Sequence, residues 1–489
     1  MGALAASALV TVAACAPAQQ ATQPEHHSFL SRPDLAPPQV SISPGEAWSE
    51  QEGAEQRYTF LTPGFEGEQP STGSMILDSR GELIWMDRAD KQDPDGNHFD
   101  LRVQDYRGEP VLTHYLGSSG PGYGEGEVLI LDERYEEITR VTTGGDLGPG
   151  RADFHDSVIT DRDTMLLMAY VPTPADLTSV GGAQDGWAMD SVIQEIDIAT
   201  GDVLFEWSAL DHVPLSDTQV QLQDEQTEDE QTGTEGLPFD YFHLNSVTED
   251  DDGSLLISAR NTHAVYRLDR GTGDVDWTLG GSASDFEMGE GAVFEWQHDA
   301  QRAPDGTLTL FDNHNDVGEG ETSRGLRLAL DEDAMTASVD TEYAAPEQRP
   351  SGSMANAQQL DDGGMLLGWG QQPFYSKHTR DGELVYDAHH GGDGSYRAYE
   401  ADWEAEPRTD PDVVVREDDG QRVAHVSWNG ATEVEQWRLL TGDDEAGASV
   451  QETVERDGFE TAIPVADDAA YVAVEALDAG GEVLATGTA

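Results

Sequence analysis

The stretch FHLNSVTEDDDGSLLISAR, residues 242–260, carries an imidazole near one end and a guanidinium at the other. Two apolar-alternating runs flank an acidic turn that ends in Gly253, which predicts an antiparallel hairpin. His243 and Arg260 lie equally far from that turn, so the hairpin sets them side by side at its open end. Two hairpins of the same type also begin with His: FHDSVITDRDTMLLMAY (154–170) with His155, and QHDAQRAPDGTLTLFDN (297–313) with His298. A fourth copy, MANAQQLDDGGMLLGWG (354–370), has no His. A single imidazole at such a place is more often structural, bonded to a backbone carbonyl. Three of the chain's 14 histidines at matching positions, with Arg260 beside one of them, point instead to a site.

Three imidazoles can make a zinc site. An arginine beside them opposes a cation, and neither HExxH nor HxH spacing occurs, so no metal is expected. Anion chemistry fits better. Arginine offers a permanently charged planar fork to oxyanions, and histidine serves as nucleophile, base or acid near neutral pH. Together they suit transfer of a tetrahedral anionic group, one imidazole attacking while the other groups hold the oxygens.

Hairpins this far apart must be brought together by the fold. A second hairpin type recurs as RGELIW (80–85), TGDVLF (200–205), TGDVDW (272–277) and DGELVY (381–386). Pairs of hairpins recurring at intervals of 50–120 residues predict four-stranded blades set radially, an all-β propeller, with six blades expected and irregular insertions between them. A pair of β-sandwiches is the structural alternative. In a propeller the first strand of each blade lines the channel, so His155, His243, His298 and Arg260 would converge. The propeller is expected over 55–405. Residues 406–489 change texture, with short alternating runs such as RVAHVSWNG and AYVAVEALDAGGEVL. They predict a fibronectin type III or immunoglobulin-like β-sandwich in an accessory role.

Among 489 residues, 96 Asp and Glu stand against 26 Lys and Arg, a formal charge of -70, and only Lys91 and Lys377 are lysines. The carboxylates are spread along the chain, as on a solvated surface adapted to salt. A chain this acidic is no partner for nucleic acid. Cys15 is the only cysteine, so no internal disulfide forms. It ends the apolar run ALAASALVTVAAC, which resembles a bacterial lipoprotein signal over 1–15, with Cys15 the lipidation site. Residues 16–54, rich in Ala, Pro, Gln and Ser, are expected to be a flexible tether. The expectation is an exported protein, anchored to the outer face of the cell membrane only through that lipid.

The stretches DYFHLNSVTEDDDGSLLISARNTHAVYRLDRGTGDVDWTLGG and FEWQHDAQRAPDGTLTLFDNHND, with RADFHDSV and QEIDIATGDVLFEWSALDHV, resemble the arylsulfotransferase family of exported bacterial proteins. The resemblance covers roughly 55–400. It implies a six-bladed propeller that moves a sulfuryl group from a phenolic sulfate ester to a phenol, without a nucleotide donor or other cofactor, through a sulfated histidine. By motif, His298 of WQHDA looks like the nucleophile. His243 of FHLNSV and Arg260 of SAR look like the groups holding the sulfuryl oxygens, and His155 of DFHDSV like the group serving the phenolic oxygen. The chain resembles the branch with an appended sandwich.

Asn245, Asn313 and Trp296 are candidate substrate contacts. Ser246 is a further donor near His243, Asp312 and Asn313 at the end of TLTLF could orient an imidazole, and Trp296, Trp369 and Phe374 could line an aryl pocket. TEDDDG lacks the distal Glu of a calcium loop, and GSSGPGYGEGE (117–127) lacks the lysine and helix of a phosphate loop. The rival readings are a non-catalytic surface propeller that binds an anionic or aryl ligand, and an aryl sulfate hydrolase.

Overall fold

The computed structural model describes residues 26–49, 57–64, 72–89, 96–120, 122–222, 232–314, 322–391, 393–418 and 420–489. Cys15, the expected signal and Lys91 lie outside these. Among the described residues the chain is all-β, with only helical turns of three or four residues among its strands. Among the described residues no helix is long and apolar enough to cross a membrane.

Six sheets follow one another, each built around four antiparallel strands as in a propeller. Their innermost strands, in chain order, are Asn97–Tyr106, Ser157–Ile159, Leu244–Glu249, His298–Arg302, Asn356–Gln359 and Ser395–Ala401. The last of these pairs with Tyr58–Pro63, and Gly73–Leu77 and Leu83–Arg88 complete that sheet. One sheet therefore joins the two ends of the 58–401 region and closes the ring. The polar-to-apolar hairpins read in the sequence are the first and second strands of their sheets, for example Leu244–Glu249 with Leu255–Ala259. The second type joins third to fourth strands. There a recurring aspartate caps the turn, Asp78, Asp197 and Asp269 each accepting backbone N–H bonds from it. Second strands such as Leu255–Ala259 are buried on both faces between neighbouring sheets, which is why they read as continuous apolar runs.

The expected tether over 16–54 needs correction in its described part. Phe29 and Leu35 are buried in a core cluster, and Ser41–Pro44 is the fifth, outer strand of the sheet that begins with Asn356–Gln359, paired with Leu384–His389. The apolar residues of this segment are too few for periodicity but enough to cover that sheet's edge. Residues 412–488 form two further sheets, of three and four strands, whose facing sides share one cluster that includes Trp428, Trp437, Leu439 and Ile463. A loop from this region grips the outer strand Leu83–Arg88. Asn429 accepts from Met86 N–H at 3.0 Å and donates to Met86 C=O at 3.1 Å.

The inner strands are polar yet buried, because their side chains bond the backbone of the next sheet. Asp156 accepts from Val247 N–H, Asn245 donates to Gln297 C=O, Asp299 accepts from Ala357 N–H, and Asn356 both accepts from Ala398 N–H and donates to its C=O. Asn356 thus ties its own sheet to the closing strand, and Gly368 leaves it room, since a Cβ there would lie 2.3 Å from the Asn356 oxygen. Replacing Asn356 with Ala strands a buried N–H and a buried C=O. The expected loss is about 2–4 kcal/mol of stability, read as a lower midpoint in denaturant unfolding; an unchanged midpoint contradicts this stitching.

Candidate active site

Each histidine sits where its inner strand begins. The register of two of these strands slips at that point, between Leu244 and Ser246 and between His298 and Gln301. Bulges of this kind re-aim successive side chains. His243, Trp296, Asp299 and Met354 adopt positive φ, a strained conformation for non-glycine residues that concentrates at functional sites. The hairpin places Arg260 as the sequence predicts: Leu244 pairs with Ala259, and Arg260 N–H donates to His243 C=O at 2.9 Å.

His155, His243, His298 and Arg260 border one cavity of about 480 Å³. The rings of His155 and His243 meet edge to face, with centroids 5.1 Å apart. His155 is stacked on Phe154 at 4.4 Å and takes the edge of Tyr396 at 5.6 Å. Arg260 lies over the Trp296 ring at 4.5 Å, donates to the Asn261 side chain at 2.9 Å, and reaches Gly352 C=O at 3.3 Å. These contacts spread its side chain along the cavity wall, a cation–π arrangement suited to a guanidinium.

Each imidazole is anchored through Nδ1: to Asp153 for His155 (2.5 Å), to Asp240 for His243 (2.5 Å) and to Asn313 for His298 (2.7 Å). Nε2 of His155 and of His243 is then the ring nitrogen left for chemistry. Burial lowers His243 below the usual imidazole value even though the Asp240 carboxylate pulls the other way. His298 is held well below it, first by burial and then by the positive charge of Arg260. Among the described residues no group of three or more His, Cys, Asp or Glu is arranged to hold a metal ion.

The structure separates the other candidates. Trp296 lines the cavity. Asn245 and Asn313 do not line it, which corrects the expectation that they contact substrate. Asn245 is fully buried in the layer of inter-sheet bonds, and Asn313 spends its amide on His298, Ser351 and Met354. Ser246 accepts from Ala300 N–H, and Asp312 is tied to Glu295 N–H and Arg324. Trp369 and Phe374 pack against Arg349 away from the cavity. Residues not singled out beforehand complete the site: Asp153, Asp240, Tyr396, and Val220 at the start of an acidic insertion whose residues 223–231 lie outside the described set. The aspartates were visible as the repeated pattern of Asp two or three positions before His, in DFH and DYFH. Tyr396 was not, because its strand pairs with the distant Tyr58–Pro63 and so forms no hairpin motif.

Asp240→Asn removes the carboxylate that opposes burial, so the His243 ring should titrate at still lower pH than in the parent. Histidine NMR measures this, and a midpoint that stays put or rises contradicts the electrostatics described.

Comparison with known proteins adds three findings. No curated protein matches the chain. Solved structures are similar to it only at a distance. One is a protein of unknown function from Bacteroides caccae: 10% identity, TM-score 0.41, covering 70% of this chain and 98% of that one. Another is the β-propeller domain of Myceliophteria thermophila Cps50 (Swd1): 11% identity, TM-score 0.32, covering 71% and 97%. The arylsulfotransferase family model matches residues 102–391, which contain the three histidines, Arg260 and their anchoring partners. With more than half its length in that match, the chain belongs to the arylsulfotransferase family.

Proposed function

We propose that this cavity moves a sulfuryl group from a phenolic sulfate ester to a phenol, without a nucleotide donor, through a sulfated His298. The observation that carries the reading is the set of three imidazoles, each anchored at Nδ1, around one cavity with Arg260. Arg260 and His243 hold the non-bridging oxygens of the donor. The Nε2 lone pair of His298 closes on sulfur while the aryl S–O bond breaks. The departing phenoxide takes a proton from His155, whose ring the Asp153 carboxylate orients through Nδ1. In the second half the acceptor phenol returns a proton to His155, its oxygen attacks sulfur, and His298 leaves with its lone pair. The Met354 N–H, which donates to His298 Nε2 at 3.2 Å, is released by the first attack and is then placed to serve a sulfuryl oxygen.

In this reading the six sheets are the blades of a six-bladed propeller, closed by Ser395–Ala401, and the two sheets of 412–488 form an accessory β-sandwich. Export with lipid attachment at Cys15 would set the site outside the cell, and the acidic surface would keep it soluble in concentrated salt.

The test uses nitrophenyl sulfate as donor, with and without an added phenol. Nitrophenolate release should be phenol-dependent, follow ping-pong kinetics and vanish in His298→Ala. Arg260→Ala should lower kcat/KM for the donor about 10²–10³-fold, with Arg260→Lys restoring only part because an ammonium lacks the planar fork. Sustained release without phenol would identify a hydrolase. Full turnover in His298→Ala would remove that residue as nucleophile, and donor binding without any turnover in the parent would favour a binding propeller.

A further inference from the structure

The three imidazoles are held alike but partnered differently. His155 and His243 have carboxylates behind Nδ1, whereas His298 has the neutral amide of Asn313. That amide has one orientation. Its Nδ2 donates to Ser351 C=O at 2.8 Å and to Met354 C=O at 3.1 Å, which turns Oδ1 toward the ring. Trp296 C=O is a second acceptor on the same ring nitrogen, at 3.0 Å. Nδ1 of His298 therefore carries the proton and Nε2 the lone pair, consistent with Met354 N–H donating to Nε2.

We propose that Asn313 is a positioning residue that works by being a non-basic acceptor: it fixes the nucleophilic tautomer of His298 and keeps the Nδ1 proton on the ring throughout the transfer. This rests on the reading of His298 as the sulfated nucleophile. When Nε2 bonds to sulfur and phenoxide departs with the S–O electron pair, the ring retains Nδ1–H. The adduct is an N-sulfo-imidazolium, positive on the ring and negative on the sulfonate. In the second half the bond from Nε2 to sulfur breaks toward nitrogen, and the group expelled is neutral imidazole. A carboxylate at position 313 could draw off the Nδ1 proton from the adduct, and the group expelled would then be an imidazolide anion, a far poorer leaving group. An amide oxygen cannot do this.

The surroundings agree. The charged and titratable groups facing His298 are Arg260, His243 and His155, and with burial they disfavour a second proton on the ring. The nearest carboxylates along the chain are engaged elsewhere. Asp299 holds Ala357 N–H and lies 3.6 Å from Arg397, and Asp312 is paired with Arg324. Among the described residues no carboxylate is hydrogen-bonded to this ring, in contrast to the other two.

The test compares the parent with Asn313→Asp and Asn313→Ser, measuring each half-reaction across pH and reading the His298 ring by ¹⁵N NMR. In the parent the ring should be neutral with its proton on Nδ1. In Asn313→Asp it should take up a second proton at higher pH than in the parent, so donor-driven nitrophenolate release acquires an acid limb and recovers as pH rises. Acceptor-driven loss of the adduct should slow on the order of 10–100-fold even where the first half has recovered. Asn313→Ser, neutral but short, should lose rate without a new pH limb. Equal losses in both halves of Asn313→Asp at every pH would reduce Asn313 to a structural role and overturn the proposal. So would a parent ring with its proton on Nε2 while the sulfated enzyme still forms. If no sulfated enzyme forms from the parent or any variant, the sulfotransfer reading itself fails, and this proposal with it.

Discussion

The guanidinium of Arg397 stands at the axis of the ring, fully buried, and four other sheets close on it. It bonds Asp156 at 3.1 Å, lies 3.6 Å from Asp100 and from Asp299, and donates to Asn245 C=O at 3.0 Å and Tyr399 OH at 2.8 Å. Arg102 adds a second cation on Asp156. Burial alone would push the Asp156 carboxyl up, but Arg397 and Arg102 hold it down; Asp100 is raised, burial outweighing the same two cations. Removing one partner from such a network leaves uncompensated charge, at a cost of about 3–5 kcal/mol. Arg397 belongs to the strand that closes the ring, and its neighbour Tyr396 borders the cavity. Closure of the fold and placement of the site therefore depend on the same few residues.

Above this layer, the inner strands present their histidines. The bulged starts of the strands let one residue face the cavity while the following Asx reaches the axis or the next sheet, as His298 and Asp299 do. The site thus gathers an arginine and three imidazoles inside a protein of formal charge -70. Arg260 is held there against the Trp296 face and the Asn261 and Gly352 oxygens. An anionic reacting group of modest charge fits such a place. The aspartates behind His155 and His243 limit how much more negative charge it can accept.

Much of this was legible in the sequence, and for identifiable reasons. Hairpin register follows from a turn and a period of two, so the pairing of His243 with Arg260 could be read from 19 residues. The matching positions of His155 and His298 followed from the same hairpin pattern. What was not legible depends on contacts between sheets. Asn245 looks like an ordinary polar group near a site, and only the packed ring shows it bonding Gln297; Asn313 could be read as orienting an imidazole, but only the packed ring shows that the ring is His298. The role of 26–49 was hidden because a single short strand gains its meaning from the sheet edge that it covers. Tyr396 and Arg397 were hidden because closure pairs residues from opposite ends of the ring.

The most direct test of the account is to find where the group goes. The protein is exposed to a phenolic sulfate in the absence of any phenol acceptor, quenched without acid, digested and mapped by mass spectrometry. The account predicts one SO3 group on the peptide that carries His298, lost again when a phenol is added before quenching. An adduct on another residue, or rapid donor cleavage with no adduct at any time, would contradict it.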